Sequence, residues 1–116
     1  MLYIGSSDLG RVSALDPSDG RVLWRTSVFG WTFGTPLVLG DRIYAGAAGG
    51  TPYFIPHVAS FCVLDRATGK LLERWPLAEA PGAHQWGVAG SLAVAGDTIV
   101  ATTIDGSISG FPRGAK

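Results

Sequence analysis

A turn phrase that occurs twice restricts this chain more than anything else in it. Ala14-Leu15-Asp16-Pro17-Ser18-Asp19-Gly20-Arg21-Val22-Leu23-Trp24 returns 49 positions later as Val63-Leu64-Asp65-Arg66-Ala67-Thr68-Gly69-Lys70-Leu71-Leu72, with the Asp, the Gly and the basic residue in register. An Asp bonds its own backbone two residues on and starts a tight turn, and a Gly four positions later takes a positive φ without a Cβ clash. Both phrases are flanked by β-prone residues, so each is a hairpin whose second strand returns beside the first. The spacing accounts for Asp16, Gly20, Asp65 and Gly69 as turn formers, and these carboxylates are read as structure. A second phrase, Gly40-Asp41-Arg42-Ile43-Tyr44-Ala45, returns as Gly96-Asp97-Thr98-Ile99-Val100-Ala101 at an offset of 56. The two offsets differ because connections vary in length while strands do not.

Between these anchors the chain reads as short strands over 2–6, 11–15 and 21–26, then 35–39, 42–46, 60–64 and 71–75, then 91–95, 98–104 and 107–111. Phe29 to Gly34 and Pro76 to Gln85 read as linkers, and Pro52 and Pro56 make 49–59 an inserted loop rather than strand. No stretch sustains an apolar i, i+3, i+4 pattern with capping residues, so almost no helix is expected. Units of roughly 40–50 residues with four short strands each are the signature of propeller blades. The expected fold is all-β: a partial β-propeller of about two and a half four-stranded antiparallel blades. Residues 1–27 would be an incomplete blade, 28–76 a complete blade with the inserted loop, and 77–116 an incomplete last blade.

Composition narrows the partners. Lys plus Arg and Asp plus Glu are 9 each, so the net charge is zero and no basic field draws the chain to nucleic acid or anionic lipid. No apolar run reaches the length of a membrane span, and the opening residues have no basic, apolar leader. The single cysteine, Cys62, lies in the apolar run Phe61 to Leu64 and is expected in the core, without disulfide or CxxC metal chemistry.

The phrase Ala14-x-Asp16-x-x-x-Gly20-Arg21-x-x-Trp24 resembles the tryptophan-docking repeat of the pyrroloquinoline-quinone-type β-propellers, a family that includes quinoprotein dehydrogenases and the propeller lipoprotein of the outer-membrane β-barrel assembly machinery. Leu2 to Ser6 and Gly40 to Gly46 are similar to the family's second-strand phrase. In the second unit Glu73 stands at the position of the docking tryptophan, with Trp75 two residues on and on the same strand face; in the third, Gly110-Phe111-Pro112 replaces Ala-Leu-Asp. The resemblance implies that Ala14, Trp24 and Trp75 are structural, with tryptophans filling the gaps between neighbouring blades. It also implies a periplasmic or exported parent protein.

Ten strands cannot close a ring, since a propeller needs at least four blades. The chain is therefore expected to be the C-terminal part of a longer propeller, completed by further blades, with self-association as the alternative. Because antiparallel strands alternate direction, the links between second and third strands share a face with the links between blades. That face gathers Phe29, Trp31, Phe33, the Tyr53 to His57 insertion and His84 to Trp86. Loops on a rigid scaffold are where binding sites concentrate, so Trp31, Tyr53, Phe54, His57, His84 and Trp86 are the candidate binding face. The competing reading is that Trp31, Phe33 and Trp86 only plug seams between blades.

Chemistry finds little support. His57 and His84 lack an obvious third metal ligand beyond Glu79, the serines sit in turn phrases without a nucleophile elbow, and Gly46 to Thr51 lacks the Lys of a phosphate loop. Quinone dehydrogenases of the resembling family use a metal, a carboxylate base and often a vicinal cysteine pair, and none of these transfers to a residue here. No catalytic residue, cofactor or metal is assigned. The expected function is a non-enzymatic module that binds a protein or peptide through the loop face or an unpaired strand edge; the alternative is a portion of a quinone-dependent oxidoreductase whose catalytic residues lie elsewhere.

Overall fold

The computed structural model describes residues 1–6, 9–50, 57–80 and 82–113. Among them are eleven strands and no helix: β1 Leu2–Ser6, β2 Arg11–Leu15, β3 Val22–Ser27, β4 Leu37–Leu39, β5 Arg42–Gly50, β6 Ser60–Asp65, β7 Leu71–Pro76, β8 Gln85–Gly87, β9 Ala93–Ala95, β10 Thr98–Thr102 and β11 Ile108–Pro112. They form three antiparallel sheets, β1-β2-β3, β4-β5-β6-β7 and β9-β10-β11, which we call the first, second and third blades. The repeated turns form as the sequence dictates. The Asp16 carboxylate accepts the Ser18 backbone N–H at 2.9 Å, the Asp65 carboxylate accepts the Ala67 and Thr68 N–H groups at 2.9 Å each, and Gly20 and Gly69 sit at φ 76° and 77°.

Blades stack through two apolar layers, and the second blade supplies one side of each. Ile43, Ala45, Ala47, Cys62 and Leu64 meet Val12 and Val28 with Tyr3 and Trp24, whereas Tyr44, Phe61 and Val63 meet Ile99, Ala101 and Phe111. Alternate residues of β5 and β6 thus face opposite neighbours. This is why Ser60 to Leu64 is buried without interruption, as expected of a strand covered on both faces. Phe61 stacks on Phe111 with ring centroids 4.1 Å apart and planes 2° from parallel. Cys62 lies in the first layer, where burial pushes its thiol pKa up despite the Ser60 hydroxyl 3.4 Å away.

Trp24 crosses the first seam. Its indole N–H donates to the Arg66 carbonyl at 3.1 Å, and its ring covers Gly69 so closely that a Cβ there would lie 2.4 Å from it. Thr26 donates its hydroxyl to the Gly69 carbonyl beside it. Trp75 crosses the second seam differently, meeting Phe111 edge-on with centroids 5.9 Å apart. Within each of the second and third blades a backbone clasp ties neighbouring turns together: Arg66 N–H donates to the Asp41 carbonyl at 2.9 Å, and Arg113 N–H to the Asp97 carbonyl at 2.8 Å.

Two differences from the sequence reading bear on the loop face. Strand β5 runs four residues past Gly46, taking in Gly49 and Gly50 from the expected insertion, and 85–87 is a strand rather than linker and loop. The cause is shared. Ala47, Ala48, Gly49 and Gly50 carry almost no side chain, so other backbone can approach both edges of this extension, and β8 pairs along one of them.

The turn carboxylates make stability pH-dependent. The Ser18 hydroxyl and then its N–H hold Asp16 below the ordinary aspartate value of 3.8; the Thr68 N–H does so for Asp65, and the Thr103 hydroxyl for Asp105. Groups with lowered folded pKa stabilise the native state above the unfolded value, and that contribution is lost as pH falls through the folded one. The melting temperature is therefore expected to hold from neutrality to about pH 4 and to fall below it. Asp65→Asn, which keeps the turn's acceptor without the charge, should flatten part of that fall. A wild-type melting temperature unchanged between neutral and strongly acid solution would contradict the assignment.

Candidate binding face

The linkers that carry the chain from one blade to the next do more than span a gap. Phe29 to Trp31 threads between the end of β5 and the start of the third strand of the second blade. Trp31 exchanges both backbone hydrogen bonds with Ala48, at 2.9 and 2.8 Å, while the Phe29 carbonyl accepts the Val58 N–H at 2.7 Å. Gly30 lies at the crossing, where a Cβ would sit 2.3 Å from the Val58 carbonyl oxygen and 2.6 Å from that of Ala48. The next residue but one, Thr32, reaches back to the first blade and donates to the Ser6 carbonyl at 2.9 Å. The second linker repeats the crossing: the Gly87 carbonyl accepts Ile104 N–H at 2.8 Å in the third blade, and Val88 N–H donates back to Ala47 at 3.3 Å in the second. A glycine receives each return, since a Cβ on Gly5 would lie 2.5 Å from the Thr32 hydroxyl and one on Gly46 2.4 Å from Val88.

These crossings fix where the predicted face residues go. Trp31, Trp86 and His57 are buried. The two indoles clamp the end of β5 from opposite sides: Trp86 lies over Gly49 and Trp31 over Gly50, each within 2.7 Å of where a Cβ would be. The His57 imidazole stacks on Trp31 with centroids 4.2 Å apart and planes at 15°. His84 is exposed, and its carbonyl packs against Gly50. Tyr53 and Phe54 lie outside the described residues. Trp31 and His57 are therefore brought together, and Trp86 sits on the other side of the same strand. Among the described residues no three His, Cys, Asp or Glu side chains are grouped to hold a metal ion, and no helix is long and apolar enough to cross a membrane.

What this layer presents outward is a rim of apolar side chains. Phe33 stacks on Trp31 at 5.9 Å and remains 48% exposed, Phe29 is 51% exposed, and Val58 beside it is open too. Phe29 is the only non-glycine residue with positive φ, at 66°, among those described. A left-handed backbone at a bulky residue is strained, by an amount on the order of 1 kcal/mol. Here the hydrogen bond to Val58 enforces it, and the Arg74 guanidinium, 5.3 Å from the ring centroid, supports the outward-turned ring. Sequence reasoning placed Phe29 and Phe33 on this face but set them outside the candidate list. The signal for Phe29 was the following Gly30, whose lack of a side chain forces the tight crossing.

On the opposite face, Arg66 donates to the Tyr3 hydroxyl and the Gly40 carbonyl, both at 3.0 Å, beside a cleft of about 420 Å³ lined by Met1, Tyr3, Gly40, Asp41, Asp65, Arg66 and Ala67. The Arg66–Tyr3 hydrogen bond there spans the seam between the first and second blades, while the Asp65 carboxylate is engaged in its own turn.

No curated protein matches the sequence. Among solved structures, BamB from Moraxella catarrhalis superposes with a TM-score of 0.73 at 19% identity over 95% of this chain and 34% of its own. The computationally designed Ika4 protein superposes with a TM-score of 0.59 at 20% identity, over 95% of this chain and 58% of its own. The chain thus spans about a third of the length of the BamB structure, and at these identities the likeness is one of fold. Three stacked antiparallel sheets, a tryptophan seated on the next blade's turn glycine and a family match over residues 1–113 agree: the chain belongs to the family described as outer membrane protein assembly factor BamB, and its fold is a partial β-propeller of PQQ-like repeats.

Proposed function

We propose that this chain is a non-enzymatic propeller module that binds a protein or peptide through the face carrying Phe29, Phe33 and Val58. The observation that carries the reading is the strained, half-exposed Phe29, turned outward next to Phe33 over a packed Trp31–His57 layer. Exposed aromatic side chains on a rigid base are efficient anchors, because they bury much apolar area while losing little rotamer freedom. In this reading Trp31, His57 and Trp86 support the surface from beneath, and His84 lies at its edge. The blades divide as 1–27, 28–76 and 77–116, and the module works as part of a longer propeller, consistent with the share of BamB that it spans.

Panning a peptide library against the chain and titrating the selected peptides tests this. Peptides are expected to lose at least about tenfold in affinity for Phe29→Ala with Phe33→Ala, roughly the effect of losing one anchor worth 1.4 kcal/mol. They should bind Asp19→Ala, on the opposite face, as they bind the wild type. Selected peptides that bind the double variant undiminished would end the proposal.

A further inference from the structure

Arg74 brings a positive charge to the exposed aromatic rim, and among the described residues no acid answers it. It lies on β7 opposite Cys62 and so shares the face that meets the first blade, whereas Glu73 lies opposite Val63 and faces the third. The guanidinium carbon is 5.3 Å from the centroid of the Phe29 ring, and the Arg74 Nε is closed off from solvent without a hydrogen-bond partner. The ion pair found among the described residues joins Arg21 to Asp16 on the opposite face. An arginine keeps its charge at any ordinary pH, and a charged donor left without an acceptor in a partly dry place is costly. An aromatic face attracts the cation but does not use its N–H fork, which matches a carboxylate.

Around this charge the surface is apolar, with Phe29, Phe33 and Val58 all exposed. Resting on the binding face described above, we propose that its partner is an acidic peptide segment. An apolar side chain of the peptide packs on Phe29 and Phe33, and a neighbouring Asp or Glu carboxylate accepts hydrogen bonds from the Arg74 guanidinium. One cation set among apolar side chains suits a single carboxylate, whereas a polyanion such as nucleic acid is held by many cations. The packed side chains exclude water from the pair, and a charge-assisted hydrogen bond is strongest where water is excluded.

Three peptide libraries test this on the full chain, each random except for one Phe and, on either side of it, Glu, Gln or Lys. The Glu library is expected to bind about three- to tenfold more tightly than the Gln library, and the Lys library most weakly. This preference for Glu over Gln should disappear in Arg74→Gln, persist in part in Arg74→Lys, and shrink in the wild type as salt is raised. Because the preference is a ratio read within each variant, a smaller folded fraction lowers both libraries alike and leaves it unchanged. Glu and Gln libraries that bind the wild type equally, a Glu preference that survives in Arg74→Gln, or a wild type that retains none of the libraries would overturn the acidic partner. Phe29→Ala with Phe33→Ala separates this from the binding face itself. If that double variant weakens every library while Glu and Gln remain equal, the face stands and the acidic partner falls; if it binds them all undiminished, the face falls.

Discussion

Phe61→Ala is expected to destabilise the chain by about 3–5 kcal/mol, the range for truncating a fully buried Phe. Phe61 has no exposed surface, stacks on Phe111 at 4.1 Å and lies near Tyr44, with centroids 6.0 Å apart. Its loss opens a cavity in the layer that holds the second blade to the third. With total stabilities of roughly 5–15 kcal/mol for domains, this is a large share. Denaturant unfolding monitored by tryptophan fluorescence measures it. A midpoint shift corresponding to less than about 1 kcal/mol would mean that this seam is not packed as described.

Gly30→Ala is expected to cost about 3 kcal/mol or more, although it adds one methyl group. The added Cβ would meet two backbone carbonyl oxygens, of Val58 and Ala48, at 2.3 and 2.6 Å. Backbone cannot yield as the end of a flexible side chain can, so the linker must leave its slot and give up the Trp31–Ala48 and Phe29–Val58 hydrogen bonds. Gly82→Ala, where nothing lies within 4 Å, provides the contrast: its φ of 79° leaves only the strain of a left-handed residue, about 1 kcal/mol. Equal melting temperatures for the two variants would contradict the threaded linker.

The hairpins were legible because their information is local. Asp16 and Gly20, like Asp65 and Gly69, specify a turn by chemistry that needs no other part of the chain, and the recurrence at 49 positions revealed the blades. The seam role of Trp24 was legible through the family resemblance. Strand β8 and the linker crossings were not legible, because pairing there depends on which backbone edge lies nearby. Gly49 and Gly50 read as loop formers in sequence, yet they are strand because two indoles need their bare surface. The same glycines explain why Trp31 and Trp86 are buried: rings that look like a binding surface in sequence are held against the end of β5, and the exposed part of the face falls to Phe29 and Phe33.

The central claim is that consecutive blades are held by side chains seated on the next blade's turn, and one comparison tests it directly. Gly20 and Gly69 share their turn, with φ 76° and 77°, but a Cβ on Gly20 meets open space whereas one on Gly69 meets the Trp24 ring at 2.4 Å. Alanine at either position carries the same backbone strain, so the difference in unfolding free energy between Gly20→Ala and Gly69→Ala isolates the seat. Gly69→Ala is expected to cost at least about 1 kcal/mol more than Gly20→Ala, and this excess should vanish when Trp24 is also replaced by Ala. An excess that is absent from the start, or that survives the removal of Trp24, would contradict the stacking of these blades.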